Sequence, residues 1–124
     1  MPKKVLVVDD NPVSRELIRE VLEDSDRNVL EAENGEEALK KIAEEKPDIV
    51  LLDIQLPVYD GYEVLHRVRT SLKLDKLPVL ALTAYAMQGD CEKALASGFD
   101  AYVTKPIDVA ALRIQVENFL GSDP

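Results

Sequence analysis

The sequence predicts an α/β protein, a doubly wound five-stranded parallel sheet covered by five helices. Three observations lead there. Short β-branched apolar runs alternate with longer stretches at helical spacing, five times over. The third run, Ile-Val-Leu-Leu after Asp48, is continuously apolar rather than alternating, as a strand is when helices cover both sheet faces. The 124 residues then fit one compact domain, 1–124, long enough to bury a core without disulfides or structural metal.

Taken in order, the first strand is expected at Lys4 to Val8. A helix follows, capped by Asn11 with Pro12 in its first turn, turning Val13, Leu17, Ile18, Val21 and Leu22 inward. A second strand near Asn28 to Ala32 leads to a helix from Gly35 to Glu45, with Ala38, Leu39, Ile42 and Ala43 inward and Pro47 ending it. Asp48 to Leu52 is the third, central strand. After a loop from Pro57 to Gly61 comes a helix with Val64, Leu65 and Val68 inward. Leu72, Leu74 and Leu77 anchor the long connection to a strand at Val79 to Leu82, which Pro78 starts. Met87, Cys91, Ala94 and Leu95 mark a fourth helix closed by Gly98. Ala101 to Val103 is a short fifth strand. The last helix begins near Asp108, buries Val109, Leu112, Val116 and Phe119, and stops at Gly121. Ala110 and Ile114 fall on its less buried side, apolar without a core reason, which suits a partner contact.

Bulk properties exclude several function classes. Fifteen basic against twenty-four acidic residues give a net charge of −9, which disfavours direct binding to nucleic acid or an anionic membrane surface. No apolar run approaches the roughly 20 residues that cross a bilayer. The start, Met-Pro-Lys-Lys, lacks a secretory signal, so the expected location is cytoplasmic. Cys91, the one cysteine, reads as core filler, and His66, mid-helix without an acidic partner, reads as surface.

Open parallel sheets bind ligands beyond the carboxyl ends of their strands. Asp9 and Asp10 follow the first strand, Asp53 the third, Thr83 the fourth, and Lys105 lies just past the fifth. Any one of these alone reads as a solvated cap or loop residue. Acids, a hydroxyl and an amine converging on one rim from different strands read as a site. Carboxylates that close repel one another, and a hard divalent cation that keeps several waters relieves the repulsion, so magnesium is the expected ion.

The motifs Val-Val-Asp-Asp-Asn-Pro (Val7 to Pro12), Leu-Leu-Asp-Ile-Gln-Leu-Pro (Leu51 to Pro57), Asp60-Gly61, Leu82-Thr83-Ala84 and Lys105-Pro106 form a specific spaced set. Across its whole length the sequence resembles the receiver domain of bacterial two-component response regulators. The stretch from Tyr85 to Asp90 looks most like receivers that stand alone or belong to hybrid kinases. The resemblance implies a flavodoxin-like fold of strand order 2-1-3-4-5 and a phosphoacceptor at Asp53. It makes Asp10, Asp53 and the backbone carbonyl of Gln55 magnesium ligands, with Asp9 acting mainly through bound water. Thr83 and Lys105 contact the phosphoryl group, Thr83 and Tyr102 form a conformational switch, and Gln55 and Tyr85 tune the lifetime of the acyl phosphate. Lys105-Pro106 is expected to be cis. The implied partners are a sensor histidine kinase or histidine phosphotransfer protein as donor, and a downstream protein on the face of the fourth helix, fifth strand and fifth helix. The chain is expected to be a monomer or weak homodimer, not an enzyme in its own right beyond catalysing its own phosphotransfer and dephosphorylation.

Three other readings compete. A phosphohydrolase with an aspartyl-phosphate intermediate would place a second acid where Gln55 stands, and would need a cap over its substrate. A flavin module would need backbone donors in the first strand-helix turn, which here is acidic and glycine-free, Asp9-Asp10-Asn11-Pro12. A degenerate receiver used only for docking would lack members of the five-residue set, and all five are present.

Overall fold

The computed structural model describes residues 3–23, 27–56, 59–84 and 88–120, the side chains of 88–91 excepted. Strands and helices alternate as β1 (Lys4–Val8), α1 (Pro12–Glu23), β2 (Asn28–Ala32), α2 (Gly35–Glu45), β3 (Ile49–Asp53), α3 (Gly61–Thr70), β4 (Val79–Thr83), α4 (Gln88–Ala96), β5 (Ala101–Thr104) and α5 (Val109–Leu120). The strands form one parallel sheet in the order β2-β1-β3-β4-β5, as expected.

The sheet's two faces carry separate cores, because successive strand residues point to opposite sides. Val5, Val7, Ile49, Leu51, Leu80 and Leu82 pack with Ile18, Val21 and Leu22 of α1 and Leu112 and Val116 of α5. Leu6, Val8, Val50, Leu52, Val79 and Ala81 pack with Ala38 and Ile42 of α2, Val64, Leu65 and Val68 of α3, and Ala94 of α4. This double coverage explains why β3 and β4 are buried along their whole length.

Helix ends follow local chemistry. Asn11 accepts the amides of Val13 at 2.9 Å and Ser14 at 3.4 Å, so α1 starts at Pro12 as its sequence requires. Asn34 caps α2 and Asp60 caps α3, each accepting an amide three residues on. Lys46 adopts a left-handed backbone, φ 51°, to close α2 before Pro47, and Gly98, at φ 110°, follows α4. The Lys105-Pro106 peptide is cis.

Strand ends differ from expectation by a residue: Asp48 lies outside β3, while Asp53, Thr83 and Thr104 are the last residues of β3, β4 and β5. Helix faces need more correction. Val13 is 71% exposed and Leu17 also points outward. The inner positions of the first turn of α1 belong instead to half-buried Ser14 and Arg15, one position round the helix, in line with Ile18, Val21 and Leu22. Ala43, Leu74 and Leu95 are exposed rather than inward, and buried Phe99 fills the core beyond α4. On α5 the buried stripe is Leu112 and Val116; Val109 and Phe119, near the two ends of the helix, are exposed. Ile114 and Ala110 are exposed and His66 lies on the surface, as expected. Pro57, Tyr85, Met87 and Gly121, and the Cys91 side chain, lie outside the described residues.

Candidate functional site

Register alone assembles the site. Val8 is in register with Leu52, so the next residues, Asp9 and Asp53, emerge side by side at the β1–β3 boundary where the strand order reverses. Thr83 is in register with Thr104, and the Lys105 amide donates to the Thr83 carbonyl at 2.7 Å, which brings the lysine back over the rim.

Side chains then close on one point. The Lys105 Nζ donates to Asp9 Oδ2 at 2.7 Å and to Asp53 Oδ2 at 3.0 Å. Asp9 Oδ1 accepts the Asn11 amide and Asp53 Oδ1 the Gln55 amide, both at 2.9 Å. Asp9, Asp53 and Thr83 are buried, Asp10 and Gln55 are exposed, and Tyr102 is half-buried on β5. One carboxylate oxygen from each of Asp9, Asp10 and Asp53 lies within 4.8 Å of the others. The predicted pocket residues Asp9, Asp10, Asp53, Thr83 and Lys105 thus gather at one rim, Gln55 touches Asp53 through its amide, and Tyr85 is outside the described residues.

The electrostatics follow from this crowding. Burial raises the Asp53 pKa and the neighbouring Asp9 charge adds to it; the Gln55 amide and Lys105 pull back without cancelling the rise. For Lys105, burial alone would lower the pKa, but bonds to Asp9 and Asp53 outweigh it and hold the ammonium charged. Three carboxylates gather around a single lysine, which pairs with Asp9 and Asp53 only; Asp10 has no hydrogen bond or ion pair among the described residues. That leaves excess negative charge and an uncommitted oxygen donor facing the gap, a donor set that fits a hard divalent cation.

Gly61 supports the site through backbone packing. A Cβ at this position would lie 2.7 Å from the Ile54 Cα and 2.8 Å from the Asp53 carbonyl oxygen, so only glycine lets α3 start against the end of β3. Two supporting residues are missing from the expectations. Arg15 donates through Nη1 to the Asp9 carbonyl at 2.6 Å and through Nε to Glu31 at 3.1 Å. A signal for Arg15 existed: counting back in helical steps from Ile18 and Leu22 puts an inward residue at 14 or 15, where an arginine has to have a reason.

A doubly wound α/β domain with an acid-rich, cation-accepting cluster at the switch point of its sheet is the class that this fold and site define. The chain belongs to the response regulator receiver domain family, whose profile matches residues 5–117. It is 40% identical over 121 residues to the polar-differentiation response regulator DivK of Brucella anthropi, covering 98% of each chain. Its fold matches that of a putative response regulator from Chloroflexus aurantiacus with a TM-score of 0.92 and 34% identity, over 98% of this chain and 100% of the other. The receiver domain of a sensor histidine kinase from Pseudomonas aeruginosa, with a magnesium ion coordinated in its active-site cleft, matches at TM-score 0.88 and 33% identity, over 98% and 100%. The protein is therefore a phosphoacceptor signalling domain of the two-component type. No helix among the described residues is long and apolar enough to cross a membrane.

Proposed function

We propose that Asp53 accepts a phosphoryl group from the phosphohistidine of a sensor kinase or phosphotransfer protein, and that residues 1–124 act as one receiver domain in the cytoplasm. The observation that carries this reading is the position of the Asp53 carboxylate, buried between the Gln55 amide and the Lys105 ammonium at the open end of the sheet. In the transfer a bond forms between an Asp53 carboxylate oxygen and phosphorus as the bond from phosphorus to the donor nitrogen breaks, and the imidazole keeps the electron pair.

Asp10, Asp53 and the Gln55 carbonyl are the groups to hold magnesium, with Asp9 linked through water. When bound, the ion neutralises charge on the transferring phosphoryl oxygens. Lys105 supplies a second positive charge to another of those oxygens, and its bonds to two carboxylates keep it protonated for that task. Gln55 and Tyr85 flank the route of water to the acyl phosphate and set how fast the domain dephosphorylates itself.

Phosphorylation adds about 1.5 to 2 negative charges and three acceptor oxygens, enough to draw in the Thr83 hydroxyl by a charge-assisted hydrogen bond. Tyr102, on the strand paired with β4, follows the space that Thr83 vacates. The altered face of α4, β5 and α5 then meets a downstream partner, where Ile114, 58% exposed, supplies apolar contact area. The domain acts as a monomer or weak homodimer.

Intact-mass measurement after incubation with a small acyl phosphate and magnesium tests the central step. The wild type gains one phosphoryl group and Asp53→Asn gains none. An unmodified wild type overturns the reading.

A further inference from the structure

Asp9 is fixed at every polar atom, but Asp10, the residue beside it, is fixed at none of its carboxylate oxygens. The Asp9 amide donates to the Ala32 carbonyl at the end of β2 at 3.1 Å, and its carboxylate is held by the Asn11 amide and Lys105. Its carbonyl, which belongs to the peptide plane leading into Asp10, accepts Arg15 Nη1 at 2.6 Å. A peptide is rigid and planar, so a donor on that oxygen fixes the direction in which the chain enters the Asp10 Cα.

Arg15 is itself restrained. Its side chain is 15% exposed, its Nε bonds Glu31, and Glu31 is also bound by Arg19 while its own carbonyl accepts Lys41 Nζ. A planar guanidinium can span Asp9 and Glu31 together, with its two bonds in fixed relation, as an ammonium cannot. On the reading that Asp10 is a magnesium ligand, we propose that Arg15, braced by Glu31, is a positioning residue that aims the Asp10 carboxylate at the metal site.

The sign of the effect separates this role from simple electrostatics. Arg15 is a cation near a cation site, so removing its charge would by Coulomb's law tighten magnesium binding. Loss of a positioning group weakens it, by about 10-fold to 100-fold where such supports have been removed from metal sites.

Calorimetric titration of the full chain with magnesium chloride is the test, with thermal unfolding in EDTA run alongside. Arg15→Met is expected to weaken magnesium binding about tenfold, and Arg15→Lys by less. Arg19→Gln, which removes the same charge one turn along the helix and one bond on Glu31 but leaves both Arg15 bonds in place, is expected to weaken binding far less than Arg15→Met. The Glu31→Gln and Arg15→Met double variant is expected to bind no more weakly than Arg15→Met alone, because Glu31 acts through Arg15. An Arg15→Met protein that binds as tightly as wild type, or more tightly, overturns the proposal, even where it is less stable in EDTA. Should Arg15→Met fail to fold, wild-type affinity in Arg15→Lys overturns it equally. A wild type that takes up no magnesium overturns the underlying metal reading and this inference with it; a binding wild type beside an equally tight Arg15→Met overturns the positioning role alone.

Discussion

Both ends of the sheet are rich in aspartate, yet the two ends treat it in opposite ways. At the amino end, Asp48 precedes β3 and clasps the first residue of β1: its amide donates to the Lys4 carbonyl and its carboxylate accepts the Lys4 amide, both at 2.8 Å. Asp100 precedes β5 and clasps the first residue of β4 in the same manner, giving its amide to the Val79 carbonyl at 2.9 Å and accepting the Val79 amide at 2.8 Å. Arg69 completes the second clasp at 3.1 Å. At the carboxyl end, Asp9 and Asp53 share Lys105, and Asp10 crowds beside them with no hydrogen bond or ion pair among the described residues. One end matches its carboxylates with donors and gains register; the other crowds them and keeps a place for a cation. Residue type alone carries neither outcome.

The sharpest way to break the carboxyl end is through its backbone. Gly61→Ala puts a Cβ against the Ile54 Cα and the Asp53 carbonyl oxygen, atoms that cannot rotate away as a side chain can. Chemical denaturation should show a loss of about 2–3 kcal/mol, with phosphorylation of Asp53 impaired in the fraction that folds. Wild-type stability in this variant would mean that the β3–α3 junction is looser than its contacts imply.

At the amino end, Asp100→Ala removes the acceptor for the Val79 amide and the partner of Arg69. Solvent reaches this part-exposed pair, so the expected cost is about 1–2 kcal/mol by urea unfolding. Phosphoryl uptake should be unchanged, because the partners of Asp100 among the described residues, Val79 and Arg69, make no bond to a pocket side chain. A loss of uptake at full stability would show that the two ends are coupled and would erase the contrast.

The sequence reveals the two ends unequally, for physical reasons. Asp9, Asp10, Asp53, Thr83 and Lys105 were legible because strand order and parallel pairing force the carboxyl ends together wherever the elements are right. Asp48 passed as a strand residue, since its clasp depends on β1 lying alongside, a long-range pairing that no local pattern shows. Val13 and Leu17 were misplaced by the rule that apolar residues point inward. That rule fails at the first turn of α1, where the inward position is given to Arg15 and the apolar residues are left on the surface. The end turns of α5 mislead similarly, with Val109 and Phe119 keeping helical spacing but exposed, unlike the mid-helix pair Leu112 and Val116. Periodicity finds the buried stripe of a helix but not where the stripe stops.

The smallest expected effect is the most discriminating, because its sign is opposite at the two ends. Removing the charge of a matched aspartate costs stability, whereas Asp53→Asn should slightly stabilise the protein in EDTA at neutral pH, because burial makes the ionised Asp53 carboxylate unfavourable in the folded state. Burial, with Asp9 nearby, raises the Asp53 pKa in the folded protein. The native state therefore binds a proton more tightly than the unfolded chain. Stability from this group is greatest below the ordinary carboxylate range and declines as pH rises through the elevated folded value. Asparagine cannot ionise and escapes that decline, so the gap between the two proteins should open with rising pH and close in acid. Magnesium should reverse the order, adding about 1.4 kcal/mol to the wild type at ten times its dissociation constant and little to Asp53→Asn. Thermal unfolding across pH, with EDTA and with magnesium, reads both effects. Were Asp53→Asn the less stable protein in EDTA at neutral pH, Asp53 would be as well matched by Lys105 and the Gln55 amide as Asp100 is by its partners. The carboxyl end would then be a clasp like the other, not a site held short of positive charge.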